Sequence, residues 1–126
     1  MKKKNPFLIL LIVCLLFLSC EKDILQKRCY KVSYISNYCT DQDAVLVSFD
    51  QPNTDATEIK NNSDQTVTYQ AGIVNVPKEF RIPGKVFYIE YHYASDIDKE
   101  FTICDGKKDG IKILIADKTS EKGCTF

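Results

Sequence analysis

Six cysteines and a single histidine are the residues of this 126-residue chain with the most chemistry to offer. Cys29, Cys39, Cys104 and Cys124 are separated by gaps of 10, 65 and 20 residues. Zinc sites built from four thiolates use paired short spacings, which are missing here. An even number of cysteines in a small exported domain reads instead as two disulfides. Three connectivities are open; nested pairing, Cys29 with Cys124 and Cys39 with Cys104, is favoured slightly because the outer pair flanks the domain. A link across the long gap is worth roughly 3–5 kcal/mol in the chain-entropy picture.

His92 stands two residues after Glu90, so both fall on one face of a strand and a Glu–His pair there can tune a proton affinity. No Gly-x-Ser-x-Gly elbow accompanies it, so the nucleophile of a hydrolase is missing. The carboxylates Asp41, Asp43, Asp96, Asp98, Glu100, Asp105 and Asp109 fall in expected turns, where Asp is favoured by local hydrogen bonding. Asp96, Asp98 and Glu100 offer hard oxygens at alternate positions and are first in line for calcium; turn chemistry is the simpler reading, and no metal is assigned. No phosphate-cradling glycine loop is present and Cys29 with Cys39 is not a Cys-x-x-Cys pair, so no cofactor is expected. Catalysis is not the expected role.

Ahead of these residues lies an address. Lys2, Lys3 and Lys4 precede an unbroken apolar run over 7–18, which as a helix spans about 18 Å. That is short of the roughly 30 Å bilayer core and fits a secretory signal peptide. Leu16-Phe17-Leu18-Ser19-Cys20 resembles a lipobox, at which bacterial lipoproteins are lipidated on cysteine and cleaved before it. The resemblance implies cleavage after residue 19 and a diacylglycerol thioether on Cys20, with Phe17 departing from the usual Leu. With Glu21, Lys22 and Asp23 next, the pattern is similar to small cell-envelope lipoproteins of the Bacteroidota. Such a protein is anchored to the outer membrane, on its periplasmic or surface side, without spanning it. Two or more acyl chains make that anchoring stable.

The elements behind the cysteines have period two rather than 3.6. Tyr30, Val32 and Tyr34 alternate with polar residues, and Val45, Val47 and Phe49 follow. Strands are also expected over 66–69, 72–76 and 85–93, an edge piece over 80–82, a return over 101–104, and a last strand carrying Ile111, Ile113 and Ile115 on one face. Residues 51–59 have room for one helical turn. The fold class is therefore all-β, a small disulfide-stapled barrel, OB-like, or a Greek-key sandwich. The domains are a leader over 1–19, a tether over 20–26 and one β-domain over 27–126.

Charge narrows the function. The chain has 17 basic and 17 acidic residues, and the leader takes three of the former and none of the latter. The mature part is mildly acidic with no basic stripe, which argues against nucleic-acid partners. Seven tyrosines and no tryptophan give several strands an aromatic face. Most suit a core; Tyr38 and Tyr88 are the ones expected at the surface. The polar side of the 85–93 strand, with Tyr88, Glu90 and His92, is the expected binding face. The reading is a non-catalytic, membrane-anchored binding or accessory module for a protein or glycan. The alternative is an inhibitor or immunity-type lipoprotein that plugs a hydrolase with the 51–65 loop.

Overall fold

The computed structural model describes residues 29–93 and 102–124. The leader, Cys20, the tether and the Asp96, Asp98 and Glu100 loop lie outside the described residues. Seven strands are formed: β1 Cys29–Cys39, β2 Ala44–Phe49, β3 Thr57–Lys60, β4 Val67–Val74, β5 Val86–Tyr93, β6 Thr102–Ile103 and β7 Lys112–Ser120. Two single 3₁₀ turns, Thr40–Gln42 and Lys78–Phe80, are the only helical pieces among the described residues. No helix among them is long and apolar enough to cross a membrane.

β1, β2 and β4 form an antiparallel meander, and β5 pairs antiparallel with β1. β7 pairs antiparallel with β5 and parallel with β4, which closes a five-stranded barrel of OB-like order. The sandwich alternative is thereby set aside. β3 occupies the early part of the β4 edge and β7 the later part. Closure in this way leaves few unpaired edges.

Alternation dictates the interior. Val32, Tyr34, Val45, Val47, Phe49, Ala71, Ile73, Phe87, Ile89 and Leu114 are buried together. One end is filled by Phe80 from the 3₁₀ turn, stacked on Phe87 with ring centroids 5.0 Å apart. That turn replaces the edge strand expected over 80–82. The other end is filled by the 50–56 segment, which forms no helical turn because Pro52 and Thr54 do not favour one.

Two further expectations are corrected. One strand, Val67–Val74, replaces the two expected over 66–69 and 72–76, since Gly72 sits inside the ladder. Ile111 and Ile113 share one face as expected, and it is the outer one, in a separate core, while Leu114 and Ala116 point inward. Tyr38 is buried, not exposed. Two irregularities in the β1–β2 register, between Tyr34 and Ser36 and between Asn37 and Cys39, shift the phase of β1 and put Tyr38 on the outside of the barrel under cover.

The expected nested disulfides are formed, Cys29–Cys124 and Cys39–Cys104.

Candidate functional site

The outer surface of the barrel has two sides. On the β2–β4–β7 side, Tyr38, Cys39, Ala44, Cys104, Ile111 and Ile113 form the second core, with Leu46, Ile59 and Val74 packed against it. The Tyr38 ring lies so close to Gly72 that a Cβ there would meet its Cδ1 at 3.0 Å and Ile113 Cγ1 at 3.2 Å. Tyr38 donates to Asp109 Oδ1 at 2.6 Å. Burial, reinforced by the Asp109 carboxylate, pushes the Tyr38 hydroxyl above its ordinary range, and the same hydrogen bond holds Asp109 below its own. The strand 2–3 face that OB barrels offer to oligomeric ligands is thus filled by the chain itself and stapled by Cys39–Cys104.

On the β2–β1–β5 side nothing comparable is built among the described residues. Lys31, Ser33 and Ile35 point outward from β1, Ser48 from β2, and Val86, Tyr88 and Glu90 from β5. Register sets Lys31 beside Tyr88 and Ser33 between Ser48 and Val86. The two serines make a low floor between taller neighbours. Ile35, Val86 and Ile82 are exposed, Val86 at 45% and Ile82 at 55%. Backbone hydrogen bonds from Tyr34 N to Lys85 O and from Gly84 N to Tyr34 O bring Ile35 beside the 82–85 turn. Two adjoining clefts cross this side. One, of about 300 Å³, is lined by Cys29, Tyr30, Lys31, Tyr88 and Cys124; the other, of about 250 Å³, by Ser33, Ser48 and Val86. Both are floored by Phe49 and edged by the Lys31–Asp50 pair, whose closest N–O distance is 3.8 Å. These volumes are at or below the smallest typical of small-molecule pockets, so the shape suits a contact surface better than an enclosed ligand.

Of the three residues expected to form a binding face, only Tyr88 reaches these clefts. Glu90 lies opposite Cys29 on β1 and Lys118 on β7. His92 pairs with Asp117, Nδ1 to Oδ1 2.7 Å, and not with Glu90. The cause is a register shift in β7 between Ala116 and Lys118, which leaves Asp117 as the extra residue. A bulge re-aims a side chain in this way, and one strand's sequence does not show it. His92 and Asp117 make a base with an orienting acid, both close to half exposed. Among the described residues no three His, Cys, Asp or Glu side chains gather as a metal site.

A second polar constellation was not foreseen. Asp55, 7% exposed, accepts hydrogen bonds from Tyr91 and Tyr93, each 2.7 Å, one on each carboxylate oxygen. Asn53 Nδ2 donates to the Tyr91 hydroxyl at 3.0 Å, and its Oδ1 accepts from the Asp55 N–H at 2.8 Å. Tyr91 stacks on Tyr30, with Phe49 edge-on to both. Burial raises the Tyr91 hydroxyl above its ordinary range. Both carboxylate oxygens are taken, so the group closes the barrel end and does not await a substrate. Of the segment 51–65, the first part is folded into the barrel end, Thr57–Lys60 is a strand, and 61–65 is an exposed turn. A Pro-Asn-Thr-Asp turn signal marked the loop, but nothing in it marked burial. Asp43, expected only as a turn acid, is held by both terminal nitrogens of Arg81 at 2.7 and 2.8 Å, which lowers its proton affinity.

No protein-family model matches this chain, and neither do any curated proteins or solved structures.

Proposed function

We propose that this is a lipid-anchored cell-envelope module that works by binding, with the open β2–β1–β5 side as its contact surface and a protein as its partner. The observation that carries the reading is the asymmetry of the barrel. One side is sealed by a second core; the other keeps Ile35, Val86, Ile82 and Tyr88 around a low serine floor. Aliphatic side chains beside a tyrosine and an exposed ion pair suit a protein surface. A glycan is served less well, because tryptophan is absent from the chain. The Lys31–Asp50 pair is exposed and therefore weak, so either member can be re-paired by a partner at little cost.

The anchor follows from the lipobox resemblance. Cys20 precedes β1 by nine residues, at most roughly 30 Å of extended chain, so the domain stays close to the outer membrane that holds it. Catalysis has little to support it: His92 has its orienting acid but no recognised nucleophile beside it.

Two experiments test this. Cys20→Ala should abolish palmitate labelling and release the protein from the membrane, and labelling that persists places the lipid elsewhere. Affinity capture from native envelopes should fall about thirtyfold for Tyr88→Ala, the loss of one anchor worth roughly 2 kcal/mol. Equal capture by both forms moves the interface. Turnover of a glycan or peptide by the purified domain removes the binding reading altogether.

A further inference from the structure

The two disulfides occupy opposite environments. Cys39 and Cys104 are 3% and 6% exposed and belong to the second core. Cys124 is exposed and Cys29 half-buried, and both line the open cleft of about 300 Å³ together with Lys31 and Tyr88. Exchange requires a thiolate to reach a disulfide sulfur, and access is one of the factors that set its rate; exposed disulfides are the labile ones. A sulfur inside a packed core meets a thiolate only when the domain opens. One lining an open cleft is reachable in the folded state.

We infer that Cys29–Cys124 is a thiol-exchange site whose reaction partner is the dithiol of an oxidoreductase. One thiolate of the dithiol attacks Sγ of Cys124, the exposed member. The Cys29–Cys124 bond breaks, and Sγ of Cys29 leaves as a thiolate and takes up a proton. The second thiol then displaces Cys124 from the mixed disulfide. The dithiol ends as a disulfide, oxidised by two electrons, and the pair ends as two thiols. The barrel survives the step, because β1 remains paired with β5 from Cys29 to Ser33 and Glu121 remains bonded to Lys85. What changes is the cleft: Cys124 forms part of its wall, so reduction widens it beside Tyr88. This inference does not depend on the anchor or on the partner surface.

Graded dithiothreitol on the native oxidised protein, quenched with iodoacetamide and mapped by peptide mass spectrometry, tests it. Cys29 and Cys124 should be alkylated together about a thousandfold faster than Cys39 and Cys104, since the buried pair waits on rare opening. The far-ultraviolet circular dichroism should be unchanged while only the first pair is open. Alkylation of all four at one rate, or of the buried pair first, overturns the inference. A thioredoxin-type probe whose second cysteine is serine should remain trapped on Cys124 of the folded protein. Trapping on Cys29, or none, overturns it equally.

Discussion

Leu46, Val74 and Ile113 on one side of the barrel, and Ile35, Val86 and Tyr88 on the other, all point outward from strands of the same closed sheet. The first three lie under Tyr38, Ile111 and a disulfide. Ile35 and Val86 remain exposed, and Tyr88 is half-buried. Outward-facing apolar residues on a barrel thus have two different roles here. On the β4–β7 side they bury intramolecular surface and stabilise the fold; on the β1–β5 side they contribute little to the fold of the described residues. Substitutions should separate the two sides by their effect on stability.

The largest loss should come from the staple. Replacing Cys39 and Cys104 together by alanine should cost about 3–5 kcal/mol in urea unfolding, because a 65-residue link is released and a packed core loosens. Gly72→Val comes next. Its Cβ would press on the Tyr38 ring and Ile113, and overpacking of this kind costs about 1–3 kcal/mol.

Alkali should come third. The hydroxyls of Tyr38 and Tyr91 hold their protons more tightly in the folded protein than in the unfolded chain. The unfolded chain therefore releases protons first as pH rises. Their contribution is complete below the ordinary tyrosine value of about 10 and is lost progressively above it. An ultraviolet titration should show Tyr38 and Tyr91 ionising after the surface tyrosines, with unfolding midpoints that fall above pH ~10. The smallest effect should be on the open side, where Val86→Ser and Tyr88→Ala should change stability by no more than about 0.5 kcal/mol. A loss of several kcal/mol from either would mean that this side is also structural.

Much of the fold was legible in the sequence wherever a strand kept strict alternation. Tyr30, Val32 and Tyr34 on β1, Val45, Val47 and Phe49 on β2, and Phe87 and Ile89 on β5 all face inward as their period demands. Two disulfides were legible from the even count of cysteines, while their nested pairing was only slightly favoured by the flanking positions of Cys29 and Cys124. The second core escaped because it depends on phase changes. Two irregularities in β1 carry Tyr38 outward, and β7 uses successive residues Ile113 and Leu114 on opposite sides, both buried. A period-two reading assumes that one face meets solvent, and β7 violates that assumption. The candidate site was visible in part. Tyr88 was placed correctly on the outer face of its strand, but Lys31, Ser33, Ser48 and Val86 become a surface only through cross-strand register. His92 is a half-exposed strand residue, as its polar face implied, but its partner Asp117 could not be read from β5 because the bulge lies in β7. Asp55 looked like any turn acid, and its burial depends on tyrosines 36 and 38 residues away.

Photo-crosslinking in intact cells addresses the central asymmetry most directly. A benzophenone side chain replaces Tyr88 on the open side in one strain and Ile103, exposed beside the sealed side, in another. A discrete crosslinked protein species should arise from position 88 and none from position 103. An adduct from position 103 with none from position 88 would contradict it.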